Sequence, residues 1–323
     1  MTDWHAHWVP PEALALLACR TVPPCLVTVA GTRRLLLPDG RAPAIKEAQL
    51  DLDTRRAALE KAGIDRQILS LAVIAGQFPA SLPAESERAV CEAANRGFAR
   101  ISRESGDRFG ALAALPTADP GHAARMLEIA VTEQGLAGGT LPADAFVDDE
   151  TAARFRPVLA AAQRLRTQIF IHPGPLSDRP WPPADDSPLA MIRRRAVGFQ
   201  DSLTAAAITF EYSDLLDSYP DVRVRLANLA GTFPLIAERI AVTARRMNLP
   251  DSRQDGRPHR LLADTASFGA AGLSLAARTF GAERLVFGTD CPALPLTPAL
   301  DGVGTAAFSE AERIAVLRGD ALG

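Results

Sequence analysis

The sequence predicts an α/β fold of the (β/α)8, or TIM, barrel class on three observations. Strand-length apolar runs alternate with helix-length amphipathic stretches about eight times. The chain has 323 residues, the size of one closed barrel, and its first strand is not followed by the glycine-rich turn that a doubly wound sheet usually shows. The strand candidates are residues 2–8, 64–74, 109–115, 136–141, 168–172, 222–228, 260–265 and 284–288. Ile169, Phe170 and Ile171, like Leu285, Val286 and Phe287, run without polar alternation, as parallel strands covered on both faces do.

In chain order, residues 2–8 come first and carry His5 and His7 on one side, because strand side chains alternate. Residues 21–45 read as a small β-hairpin insertion capping the barrel mouth, with residues 25–30 and 33–37 as its arms and Gly31 between them. Asp51 opens a helix that stops before Gly63, and Asp119 with Pro120 opens one that stops before Gly135. The proline-rich segment 173–188, containing Trp181, is too long for a simple connection and follows a strand that ends on His172, which makes it a candidate lid. No internal repeat goes beyond the strand-helix alternation, so residues 1–323 are expected to form a single domain.

Composition narrows the function. Hydrophobic residues make up 47% of the chain, enough for a large core, and a net charge of −3 offers no basic surface for nucleic acid. No stretch is long enough to span a bilayer and no signal peptide is evident, so a cytoplasmic protein acting on a small molecule is expected. Cys19, Cys25, Cys91 and Cys291 form neither a CxxC pair nor a dense framework, in keeping with reduced thiols.

The candidate chemistry lies at strand ends. A lone HxH is weak evidence for a metal, but His172 ends another strand and Asp290 follows the eighth. The functional groups of a barrel gather at the C-terminal ends of its strands, so His5, His7, His172 and Asp290 are expected to converge on one divalent metal. Three nitrogens and a carboxylate oxygen suit zinc and leave a position for water. His122, at a helix start, and His259, in a polar turn, read as surface residues. Asp3 shares the inward parity of the two strand histidines without being read as a ligand.

These features belong to a wider pattern. Asp3 to His7 with Pro10, Pro11 and Glu12, then Gly63-Ile64-Asp65, Phe170 to Gly174, Tyr219-Pro220-Asp221, Gly231-Thr232-Phe233-Pro234 and Leu285 to Pro292 together resemble the amidohydrolase superfamily. The similar branch is the one that includes aminocarboxymuconate-semialdehyde decarboxylase, and the likeness runs over nearly the whole chain. It implies the same four metal ligands, with zinc commonest and manganese known. Arg239 matches an arginine that reaches a neighbouring subunit's substrate, which implies a homodimer; read from the residues alone, Arg239 is equally an ion pair with Glu238 or Glu211.

One position departs from the family. Its acid/base histidine is Asn228 here, and an amide can hold an oxyanion or a water but does not titrate near neutral pH. The expected catalytic residues are Asp290, for proton transfer, and Asn228, for positioning; Arg239, Trp181 and Cys291 are the expected substrate contacts, with packing as the other reading of Cys291. The expected reaction is decarboxylation of a small aromatic or unsaturated acid. Amide or ester hydrolysis and its reverse, ring-forming condensation, remain alternatives, as does a metal-bearing protein that binds without turnover.

Overall fold

The computed structural model describes residues 1–322 except 39, 46, 72–80, 182–186, 250–259 and 267. The first strand, β1 (Thr2–His7), is followed by a hairpin of β2 (Cys25–Val29) and β3 (Thr32–Leu36). The remaining barrel strands are β4 (Arg66–Ser70), β5 (Phe109–Ala111) with β6 (Ala113–Ala114), β7 (Gly138–Pro142), β8 (Gln168–His172), β9 (Arg223–Leu226), β10 (Leu261–Asp264) and β11 (Leu285–Val286). Hydrogen-bonded order runs β1-β4-β5 and then β6-β7-β8-β9-β10-β11, with parallel pairing throughout. Leu112 lies between β5 and β6 and donates its N–H to the carbonyl of Leu69 at 2.9 Å, so these two short pieces form one barrel strand shared by both ladders.

The last strand closes on the first. The N–H of Trp4 donates to Phe287 O at 2.8 Å, that of Asp290 to His5 O at 2.8 Å, and that of His7 to Cys291 O at 2.7 Å. Closure leaves no sheet edge open. The (β/α)8 barrel expected from the apolar periodicity is therefore present, and the eight expected strands fall on the eight barrel positions. Within residues 64–74, pairing covers Arg66–Ser70, and residues 72–74 lie outside the described residues. Within residues 284–288, only Leu285–Val286 stay in the ladder with β10, because Phe287 turns its carbonyl to β1.

Local chemistry sets the helix boundaries. The Asp51 carboxylate accepts from the N–H groups of Asp53 and Thr54 to start the helix Leu52–Lys61, and Gly63 leaves it at φ 68°. Asp119 accepts from His122 N at the start of the helix Pro120–Thr132, and Gly135 at φ 70° follows. The hairpin, antiparallel from Cys25↔Leu36 to Val29↔Thr32, packs on the helix Pro11–Ala18 that leaves the C-terminal end of β1. Outside the strands, Phe146 meets Phe210 at 4.6 Å and Phe155 at 5.7 Å between ring centroids, fully buried contacts that tie the helical layer together.

Glycine is required where β7 begins. Gly138 has φ 137°, and a Cβ there would sit 2.3 Å from the carbonyl oxygen of Gln168 on the paired strand. Gly138→Ala is expected to lower the unfolding free energy by about 3 kcal/mol. Urea unfolding midpoints measure this, and an unchanged midpoint would mean that the start of β7 can move without loss.

Candidate metal centre

Strand geometry brings the four expected ligands together. Asp3, His5 and His7 are all buried on the inward side of β1, as the period of two requires. His5 Nε2 lies 3.2 Å from His7 Nε2, and the His172 ring at the end of β8 sits 5.2 Å from that of His5 and 4.9 Å from that of His7. Asp290 completes the group, its Oδ1 2.9 Å from His7 Nε2 and 3.6 Å from His5 Nε2. The candidate ligand atoms of all four residues lie within 4.8 Å of one another.

Each imidazole has an oxygen close to its other nitrogen. His5 Nδ1 lies 3.0 Å from Asp264 Oδ2; His7 Nδ1 lies 3.0 Å from Ser70 Oγ, which itself donates to Ala6 O; His172 Nδ1 lies 3.0 Å from Pro173 O. A carboxylate and a carbonyl only accept, so His5 and His172 carry their protons on Nδ1 and keep a lone pair on Nε2. Ser70, donating to Ala6, accepts from His7 in the same sense. The Nε2 lone pairs of His5 and His7 then face each other and an anionic oxygen at close range. That donor set fits a divalent cation between them.

Electrostatics agree with a cation site. Burial lowers His7, and it lowers His172 well below the usual imidazole range, with the neighbouring imidazoles adding to the effect. Burial also opposes charge on His5, but the Asp264 and Asp290 carboxylates outweigh it and raise His5. For Asp290, burial pushes upward and the three imidazoles outweigh it, holding the carboxyl low.

Asp3 does not join the cluster. Its carboxylate accepts from His5 N, Gln67 Nε2, Thr289 N and Thr289 Oγ1 at 2.7–3.1 Å, and so clamps β1 to the turn that presents Asp290. Asp290 itself sits at φ 60° within that turn.

The other expected site residues spread out. Asn228 is buried; its N–H donates to Asp264 Oδ1 at 3.0 Å, and Asn228, Leu229 and Ala230 all have positive φ (52°, 55° and 60°). Such backbone costs about 1–3 kcal/mol per non-glycine residue and is sustained by surrounding contacts. Here these include Thr204 Oγ1, which accepts from Thr232 N at 2.8 Å. The Cys291 thiol lies near Arg55 and Gln67, and burial pushes it up to about 11, which makes it a poor nucleophile.

Trp181 stacks on Phe199, lies under the Arg194 guanidinium, and donates its indole N–H to Asp144 Oδ2 at 2.6 Å. It fastens the start of the expected lid to the turn after β7, while residues 182–186 of that segment lie outside the described residues. Arg239 is exposed on the helix Phe233–Arg246, in a surface groove with Val242, Arg246 and Met247. Glu211 accepts instead from the N–H groups of Arg260 and Leu261. His122 lies 3.3 Å from Glu92 at a helix start, outside the cluster, and His259 lies outside the described residues.

Two buried charges were not expected. Arg225 on β9 and Asp264 at the end of β10 are both fully buried and paired at 3.1 Å, with Arg225 also stacked 3.8 Å over the Phe170 ring. A charged residue inside an otherwise apolar strand, as in Val224-Arg225-Leu226 or Leu262-Ala263-Asp264, is the sequence signal that marks them. Beside His172 a cavity opens, lined by Leu71, Leu115, Leu141, Pro142, Glu87 and Thr140 among others.

Comparison with known proteins points the same way. A family model described as amidohydrolase matches residues 2–322. A gamma-resorcylate decarboxylase from Rhodococcus jostii is 27% identical over 295 residues, covering 83% of this chain and 85% of the relative. Among solved structures, a 2,6-dihydroxybenzoate decarboxylase from Rhizobium superposes with a TM-score of 0.74 at 23% identity, over 99% of this chain and 96% of the other. A dihydroxybenzoic acid decarboxylase from Polaromonas sp. JS666, with bound manganese and the inhibitor 2-nitroresorcinol, gives 0.70 at 23% identity over 98% and 93%. At this identity the two structures establish a shared fold.

The Trp181 anchor carries a pH signature. Burial pushes the Asp144 carboxyl up to about 6, against the opposing pull of the Trp181 N–H and Arg179. A carboxyl that holds its proton more tightly folded than unfolded contributes stability that is present below its unfolded value of about 4 and is lost as pH rises toward the folded value. Asp144→Asn removes that loss, so the variant is expected to match the parent near pH 4 and to exceed it in denaturant midpoint at about pH 7.5. Parallel pH profiles for the two proteins would show that the carboxyl is not desolvated.

Proposed function

The chain belongs to the amidohydrolase family, and on that premise we propose that it is a metal-dependent decarboxylase of a small aromatic acid bearing an ortho hydroxyl. The observation that carries this reading is the convergence of His5, His7, His172 and Asp290, with an oxygen about 3.0 Å from the outward nitrogen of each imidazole. These four residues would hold one divalent ion. Zinc suits three nitrogens and an oxygen, and manganese is the ion in the Polaromonas relative. When bound, the ion supplies Lewis acidity that draws in the substrate's anionic oxygens and stabilises charge developing on them. The substrate class follows from the Rhodococcus and Rhizobium relatives, named for gamma-resorcylate and 2,6-dihydroxybenzoate.

Asp290 moves the proton. Its carboxyl is held low by the imidazoles, so it rests as a carboxylate able to accept the ortho hydroxyl's proton as the acid binds. It returns that proton to the ring carbon that carries the carboxylate. The carbon–carboxylate bond then breaks, its electron pair restores the aromatic ring as a phenolate, carbon dioxide leaves, and solvent reprotonates the phenolate. Asn228 takes no proton; its amide donates a hydrogen bond to oxygen as charge builds there. The apolar wall of Leu71, Leu115, Leu141 and Pro142 beside His172 suits an aromatic ring, and the buried Thr140 hydroxyl, without a hydrogen-bond partner among the described residues, lines the same cavity. Cys291 contributes wall rather than a nucleophile, and Trp181 holds the segment after His172 against Asp144.

Assembly and location complete the proposal. The barrel of residues 1–323 acts as one domain and works as a homodimer, in which Arg239 reaches the carboxylate of substrate bound by the second copy. Leu235, Val242 and Met247, exposed on the same helix as Arg239, supply apolar surface for that contact. The four free cysteines suit the reducing cytoplasm. Asn228 favours one second reading, hydrolysis of an amide or ester or its ring-forming reverse, because it stands where the family's proton-shuttling histidine does.

Carbon dioxide release from 2,6-dihydroxybenzoate tests the reading. Chelation is expected to abolish it and added zinc or manganese to restore it. Asp290→Asn should lower kcat by about 10²–10⁴-fold while some metal stays bound by elemental analysis. Full activity in that variant removes Asp290 as the proton carrier. Release that appears only after Asn228→His makes the native reaction something other than decarboxylation.

A further inference from the structure

We infer that Asp264 is a positioning residue that ties the ligand His5 to the left-handed turn carrying Asn228, so that one buried carboxylate sets both. The inference rests on His5 being a metal ligand, as proposed above. Asp264 Oδ2 lies 3.0 Å from His5 Nδ1 and 3.1 Å from Arg225 Nη1; Oδ1 accepts from Asn228 N at 3.0 Å and from Ala266 N at 3.2 Å. Three hydrogen bonds and the close approach of the His5 ring thus surround both oxygens of this carboxylate.

The parts around it leave little room for another arrangement. Gly288 has no side chain where a Cβ would lie 2.8 Å from His5 Cβ and 3.1 Å from Asp264 Cβ, and this gap lets the two side chains meet across β11. Arg225 is fixed in turn by Gln168 Oε1, 3.2 Å from its Nε, and by the Phe170 ring beneath its guanidinium. Phe170 also meets the His5 ring edge-on at 5.0 Å. Asn228, Leu229 and Ala230 hold a backbone conformation that side chains disfavour, and Asp264 restrains the first N–H of that turn. Orientation of His5 toward the metal and presentation of Asn228 therefore share a single support, and an ion that fixes His5 also steadies the turn.

A structural role confined to neutralising Arg225 predicts something different, and paired variants separate the two. The chain stripped of metal is titrated with zinc and with manganese against a competing chelator, and amide hydrogen exchange is followed across residues 228–231 with and without the ion. Asp264→Asn is expected to weaken metal binding by about 10–100-fold and to abolish the slowing of exchange that the ion causes in the parent protein. The double variant Arg225→Gln with Asp264→Asn removes both charges, which guards against misfolding from an unpaired guanidinium. It should bind metal as weakly as Asp264→Asn. Parent-like affinity in the double variant, or ion-dependent protection of residues 228–231 without Asp264, overturns the inference. If the parent chain binds neither ion, the metal reading itself has failed and the inference fails with it.

Discussion

The contact on which the site depends is the closure of the barrel between its last strand and its first. Three backbone hydrogen bonds, from Trp4, His7 and Asp290, join the two ends of the chain where no side chain could substitute for them. Closure carries Asp290 to the histidines of β1, although 283 positions of sequence separate it from His7. The Asp3 carboxylate reinforces the junction by taking donors from β1, from Gln67 on β4 and from Thr289. A ligand set drawn from strands one, five and eight is thus a property of the closed cylinder rather than of any segment.

The interior below the metal centre is more charged than a barrel core requires. Burying Arg225 and Asp264 together costs desolvation that their attraction offsets only with good geometry and further hydrogen bonds. Gln168, Asn228 and Ala266 supply hydrogen bonds, the Phe170 ring lies under the guanidinium, and the His5 ring lies 3.0 Å from the carboxylate. The positive-φ run from Asn228 to Ala230 adds backbone strain in the same place. Departures from the cheapest local structure cluster beside the candidate metal ligands, as expected when a site draws on the stability of the rest of the fold.

The site divides its chemistry among groups of unlike character. Burial keeps His7 and His172 low, while the Asp264 and Asp290 carboxylates raise His5 and the imidazoles beside Asp290 hold its carboxyl low. Asn228 carries an amide, which hydrogen-bonds without titrating near neutral pH. Beside these polar groups the cavity wall is largely apolar, with Glu87 and Thr140 as polar members.

Apolar periodicity was sufficient to locate eight barrel strands, because parallel strands covered on both faces leave uninterrupted runs of Val, Ile, Leu and Phe. The alternation of His5 with His7, and the strand-end positions of His172 and Asp290, were likewise legible, since side-chain direction in a strand follows from spacing alone. Only the tertiary structure decided the rest. Asp264 lies 259 positions from His5 in sequence and meets it through a gap left by Gly288; Trp181 meets Asp144 in the turn that follows β7. Sequence determines which residues face inward, because that is a local rule. Which of them meet depends on the closure and register of the whole cylinder, to which every strand contributes.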